Sequence, residues 1–406
     1  MHEDENRAPI GLFGAILGAF LLIYLLSGLN PFTNNNYNSY SLQAQSWLQG
    51  RLDLPENYAH LEIAVYQGRY YISFPPFPSL VMLPFIPLFG VNTPDHFIAL
   101  CVALLSTLYA YRIAFHCMKD RRRALFFSLF LVVGSNYLHV SVWGAVWYIA
   151  QNMAFLLTLM SFYYAFVPGT KRGWLSVFCL ACAVGCRPFQ LVYAPLTGYL
   201  LWQGREQGER FGLFVRKRLA WLWPAIGMGL FYMALNYARF GNVFEFGHNY
   251  LPEFVEAPDG QFSIAYMLEN LKHIWIDLPT ISASGTLVFS MFNAVAFWIV
   301  SPIAVSFVIC GLFCLLGRKT RGHGYALWLI VLATVLIHLL LLSMHRTMGG
   351  HHFGNRYTVD CLPALFVGLC FFLPRRRGRL WPHAALALWG LGVNIWGSAQ
   401  YFGIYR

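Results

Sequence analysis

Residues 10–29, 97–118 and 326–343 are apolar runs that reach or approach the ~20 residues a helix needs to cross ~30 Å of hydrocarbon. Lipid is therefore the main solvent. In hydrocarbon a helix satisfies its own backbone hydrogen bonds, so the expected class is an all-α polytopic membrane protein. Composition agrees: 58% of the 406 residues are hydrophobic and 11% charged, against roughly 25% charged in a soluble domain. The same pattern places about eleven spans near 10–29, 96–118, 124–139, 147–167, 173–187, 188–202, 218–238, 299–317, 324–344, 357–374 and 381–401. Residues 1–406 then read as a single multi-pass membrane domain.

The net charge of +11 raises nucleic acid as a partner, but its distribution excludes that reading. With the N-terminus cytoplasmic, 19 of the 28 Lys and Arg residues fall on one side: Arg7, the Lys119–Arg123 cluster, Lys171-Arg172, the Arg205–Arg218 stretch, Arg318–Arg321 and Arg375–Arg379. Arg112 lies within a span, and 8 remain on the other side. By the positive-inside rule the basic side is cytoplasmic, which puts the C-terminal Arg406 outside. The agreement requires that apolar residues 75–90 do not cross. Pro75, Pro76, Pro78, Pro84 and Pro87 make that stretch a poor straight helix, so a re-entrant or interfacial segment is expected. The first seven residues lack a basic leader and no small-residue cleavage site follows, so the first run reads as a retained helix.

Two large outer regions follow, 30–95 and 239–286. In the first, Tyr40, Ala44, Trp47 and Leu48 recur at helical spacing among Ser41, Gln43, Gln45 and Gln49, which predicts a short amphipathic helix on the membrane. The outer side holds 11 of the 17 acidic residues. The nine cysteines lie in or at the ends of apolar segments. They read as packing residues, Cys179, Cys182 and Cys186 included, rather than as disulfides or a metal cluster.

The first outer region reads Asn36-Tyr37-Asn38-Ser39-Tyr40 with Ala44, Leu48 and Gly50, then Gly68-Arg69-Tyr70-Tyr71 and Pro75-Pro76. Later come Arg239-Phe240-Gly241-Asn242 with Phe244-Glu245-Phe246-Gly247, and His352-Phe353-Gly354-Asn355-Arg356-Tyr357 with Pro363. These segments resemble the GT-C superfamily of membrane glycosyltransferases, and within it the bacterial polyprenyl-phosphate-sugar enzymes that include aminoarabinose and mannosyl transferases. The resemblance implies transfer of a sugar from a polyprenyl-phosphate carrier to a glycan, lipid or protein acceptor on the outer face of a bacterial cytoplasmic membrane. It leaves a divalent cation open as cofactor, and assigns no metal ligand, no oligomeric state and no nucleic acid. The chain departs from the pattern twice. The acid that usually precedes the conserved Tyr is missing, with Asn36 and Tyr37 in its place, and the Lys before Pro-Pro is Phe74.

Such a reaction needs cations where charge develops on the leaving phosphate, and Arg suits this by its planar fork. It also needs a carboxylate to take the acceptor's proton. The candidate bases are Glu62, otherwise a surface carboxylate or Arg69's partner; Asp53, otherwise a turn residue; and Glu245, paired with His248 unless their loop merely packs on the first. Candidate substrate or phosphate contacts are Arg356, with Asp360 as its alternative local partner, Arg187, otherwise a helix cap, and Arg69, Tyr70, His248 and His352. His345, His351 and His352 read as polar substrate contacts rather than as ligands of a divalent ion. A non-catalytic carrier or flippase for a lipid-linked sugar, or a silent subunit of a larger assembly, remains as an alternative.

Overall fold

The computed structural model describes residues 9–167, 172–293, 295–316, 323–373 and 380–404. Arg7, Lys171, Arg318, Lys319, Arg321, Arg375–Arg379 and Arg406 lie outside the described residues. Within these limits every apolar segment read as a span is helical. Five helices are long and apolar enough to cross a membrane: Ile10–Ser27, Asp95–Met118, Val146–Phe166, Phe211–Phe240 and Tyr325–Ser343. Trp174–Val184 and Ile303–Leu316 are shorter apolar helices. Five segments are broken: 124–139 into Arg121–Val133 and Tyr137–Val142, 188–202 into the 3₁₀ turn Pro188–Tyr193 and Ala194–Gln203, 218–238 into the 3₁₀ turn Leu219–Leu222 and Trp223–Phe240, 299–317 into Phe297–Val300 and Ile303–Leu316, and 357–374 into the 3₁₀ turn Arg356–Cys361 and Leu362–Phe372.

The breaks have local causes. Asp120 starts the Arg121–Val133 helix by accepting from the backbone N–H groups of Arg122 (2.9 Å) and Arg123 (3.2 Å), which satisfies donors a first turn leaves orphaned. Pro188 and Pro363 sit at first-turn positions, where a missing N–H costs nothing. The proline-rich segment forms only Phe77–Met82 and Ile86–Phe89. At 1.5 Å per residue neither reaches far into a ~30 Å core.

Two expectations need correction. The fold is not purely helical, because Ile63–Tyr66 and Arg69–Ile72 pair as an antiparallel hairpin, and Thr280–Ile281 pairs with Leu287–Val288. The first hairpin turns on Gln67 (φ 50°) and Gly68 (φ 72°), the two positive φ values a two-residue hairpin turn requires. The helix Ser39–Leu48 also forms, but it does not lie on a surface with its polar face outward. Ser41, Gln43 and Ser46 are buried, and Gln43 accepts from the Ser79 hydroxyl at 2.7 Å.

The second outer region packs on this hairpin. Arg239 donates to the Ile72 carbonyl at 3.0 Å, Tyr66 stacks on Tyr250 with ring centres 4.6 Å apart, and Phe240 meets Tyr71. Together the two regions roof a cavity over the helical bundle.

Candidate active site

The cavity has a volume of about 1200 Å³ and draws its walls from both outer regions and from the ends of several helices. Glu62, Glu245, His248, Arg187 and Arg356 all line it. Asp53, Arg69, Tyr70 and His352 are not among its wall residues. Asp53 pairs with Arg51 at 3.2 Å, and that hydrogen bond holds its carboxyl below the usual range. Arg69 stands exposed at the hairpin tip and Tyr70 half-buried beside it, where the Tyr70 carbonyl accepts from Leu54 at 2.7 Å. Their positions follow from the hairpin, which alternates side chains between its faces.

Glu62, at the start of the hairpin, is the carboxylate best placed for chemistry. Burial pushes its pKa up to about 7, offset in part by the Trp147 indole and by Arg356, while Glu253 adds to the rise. Two buried donors without a hydrogen-bond partner, the Tyr40 hydroxyl and one terminal nitrogen of Arg356, stand at this corner, while the Trp147 indole N–H faces Glu62. An unmet buried donor costs about 1–3 kcal/mol, so the two mark a place where a polar ligand completes the structure.

Arg356 is 4% exposed and held by Gly349, whose carbonyl accepts from Nε (3.3 Å) and Nη2 (3.0 Å). Gly349 has φ 106°, and a Cβ there would meet Arg356 Nε at 2.7 Å; only glycine fits. The rings of Tyr148 and Tyr357 lie 5.6 and 4.8 Å from the guanidinium carbon. Asp360, weighed from the sequence as the local partner of Arg356, instead pairs with Arg187 at 3.0 and 3.1 Å. Among the described residues Arg356 forms no ion pair, and Glu62 is a carboxylate it acts on across the cavity.

Gln151 joins these parts. Its amide donates to Asp360 Oδ1 (2.8 Å) and to the Arg356 carbonyl (2.7 Å), from the same Val146–Phe166 helix that brings Trp147 and Tyr148 to the cavity. Glu245 and His248 are engaged locally. Glu245 accepts from the Gly247 N–H (2.5 Å) and from Asn249 (2.6 Å), and His248 Nδ1 bonds the Ser73 carbonyl at 2.5 Å. This matches a loop packing on the first region, though both residues still line the cavity. Burial lowers the His248 pKa and takes that of His345 down to about 3, so both imidazoles are neutral at pH 7. His345 Nδ1 lies 2.7 Å from the Thr347 carbonyl. Among the described residues no group of three His, Cys, Asp or Glu side chains forms a metal-binding cluster.

Sequence reasoning passed over Trp147, Tyr148, Gln151, Glu253 and Arg346. Gln151 and Asn152 in the middle of an apolar run were the available signal, since polar side chains in a span face the protein interior. The aromatic substitutes at the two departures both reach the site: Tyr37 and Phe74 line the cavity, Tyr37 with its ring 5.0 Å from that of Trp147.

No protein-family model matches the chain and no curated protein matches it in sequence. Among solved structures, ArnT from Cupriavidus metallidurans, bound to undecaprenyl phosphate, aligns with 94% of this chain at 15% identity and a TM-score of 0.52. The oligosaccharyltransferase of Archaeoglobus fulgidus in its apo form aligns with 97% of the chain at 15% identity and a TM-score of 0.46, covering 56% of that protein. The chain spans 63% of the length of ArnT. Its fold is that of ArnT.

Proposed function

We propose that the protein transfers a sugar from a polyprenyl-phosphate donor to an acceptor on the outer face of the cytoplasmic membrane. One observation carries this reading: a buried guanidinium without a carboxylate partner and a carboxylate with pKa near 7 share one cavity wall. Arg356 binds the donor phosphate and Glu62 takes the acceptor's proton. The acceptor oxygen bonds to the anomeric carbon, the bond from that carbon to the phosphate oxygen breaks, and its electron pair stays on the phosphate. Arg187 contributes hydrogen-bond donors, its charge compensated by Asp360. The ArnT structure that shares this fold holds undecaprenyl phosphate, which supports a polyprenyl phosphate as the donor's carrier.

Arg356→Ala should weaken transfer by about 10–150-fold, because a charged hydrogen bond to a partly desolvated phosphate contributes roughly 1.5–3 kcal/mol. Arg356→Lys should lose less, keeping the charge without the fork. Undecaprenyl-phosphate affinity and transfer rate are measured separately; an Ala variant with both unchanged removes the assignment. Tight donor binding without transfer by the native chain favours the carrier reading instead.

Eleven crossings with a cytoplasmic N-terminus complete the proposal, with 30–95 and 239–286 outside and 75–90 in the outer interface, where the lipid enters. In a variant cleared of native thiols, cysteines at positions 53 and 245 should label from outside and one at 122 only after the cytoplasmic side is opened. Labelling in the reverse order overturns the topology.

A further inference from the structure

The cavity carries two groups of rings, with Tyr40 against Phe74 of the second, 6.2 Å between ring centres. On one side Tyr37 meets Trp147 (5.0 Å between ring centres) and Trp143 (6.0 Å), and Trp143 meets Tyr148 (4.9 Å). On the other, Phe74, His248, Phe254, His345 and Phe262 form a continuous chain at 5.0–6.0 Å. Arg356 and Tyr357 lie between, the Tyr357 ring 5.8 Å from that of His345.

We propose that the Tyr37, Trp143 and Trp147 wall is a carbohydrate subsite that holds a pyranose ring. A pyranose has a face of C–H groups and a rim of hydroxyls. Tyr and Trp match both, with an apolar ring face and a polar edge, whereas the Phe side offers only apolar faces and neutral imidazoles, suited to hydrocarbon. The Tyr40 O–H, a buried donor without a partner, and the Trp147 N–H, which faces Glu62, stand at the polar corner of the wall. A wall meant for a lipid tail would leave the Tyr40 hydroxyl buried and unmet, at a cost. The half-buried faces of Tyr37, Trp143 and Trp147 are open to the cavity. The inference rests on the transfer reading above, in which the ring is either the donor's own sugar or that of a saccharide acceptor.

The test is saturation-transfer NMR on the purified full chain with methyl glycosides of glucose, galactose, mannose and N-acetylglucosamine. At least one should receive saturation on its C–H face. Its affinity should fall about tenfold in Trp143→Leu, the loss of one stacking contact, and recover in Trp143→Tyr, which keeps a ring. Phe254→Leu should leave it unchanged. An unfolding temperature in detergent close to that of the native chain, in all three variants, reports that they fold. Glycoside signal displaced by farnesyl-phosphate mannose but not by undecaprenyl phosphate assigns the ring to the donor; signal that survives both assigns it to the acceptor. No binding by any glycoside, or binding indifferent to Trp143→Leu, overturns the subsite. If undecaprenyl phosphate still binds in that case, the transfer reading stands alone. Glycoside binding without undecaprenyl-phosphate binding removes the transfer reading and leaves the subsite.

Discussion

Glu62→Gln should lower the transfer rate by about 10²–10⁴-fold, the usual contribution of a positioned general base, while donor affinity stays nearly constant. The amide keeps the shape of the side chain and loses its basicity. The native pKa near 7 sets the pH dependence. Only the ionised carboxylate takes a proton, and burial favours the neutral form, so activity should rise with pH through about 7 and fade below it. The residual activity of the variant should lack that limb. If Glu62→Gln turns over normally with an unchanged profile, the base lies elsewhere, and Glu253 is the next carboxylate on the cavity wall. Glu253 is also raised by burial, with Arg346 opposing, so an acid limb it carried would vanish in its own Gln variant.

Asp360→Ala should cost about 3–5 kcal/mol of stability, because removing one partner of a buried pair leaves the other uncompensated. Asp360 is almost wholly buried and its pair with Arg187 is bidentate through one oxygen. Its other oxygen holds Gln151. Thermal unfolding in detergent measures the loss. The variant that also carries Arg187→Met should recover much of it, since an apolar replacement of both partners leaves no stranded charge. A single variant that unfolds at the native temperature would show that water or lipid headgroups compensate Arg187, and the cavity would then be wetter at that end than its walls imply.

The helical bundle was legible because apolar length answers directly to bilayer thickness, and the five prolines of 75–90 foretold a segment that forms only short helices. The hairpin at 63–72 is hard to read from the sequence because Ile63–Tyr66 and Tyr70–Ile72 are continuous apolar runs without the alternation of a half-buried strand, although Gln67-Gly68 between them is a turn signal. In the site, Glu62, Glu245, His248, Arg187 and Arg356 were found because charged and polar residues in outer loops of an apolar chain are conspicuous. Asp53, Arg69, Tyr70 and His352 were chosen by the same signal and lie off the cavity walls, since proximity in sequence says nothing about which way a strand or turn faces. The exchange of partners between Arg187 and Arg356 could not be read at all. It depends on a 3₁₀ turn at Arg356–Cys361, whose three-residue period carries Asp360 toward Arg187. Trp147 and Tyr148 are hidden for another reason: within an apolar run, an aromatic that faces a cavity has the same letter as one that faces lipid.

The Val146–Phe166 helix presents Trp147, Tyr148 and Gln151 within its first two turns, on a single rigid rod, so the spacing between them behaves like the pitch of a screw. One residue inserted between Tyr148 and Gln151 would turn everything beyond it by about 100° and advance it by about 1.5 Å, unhooking the Arg356 carbonyl and Asp360 together. Outer loops lengthen or shrink at little thermodynamic cost. Across chains of this fold, then, length should drift freely in the roof, while the interval of three between an aromatic and an amide in this one helix should resist insertion and deletion.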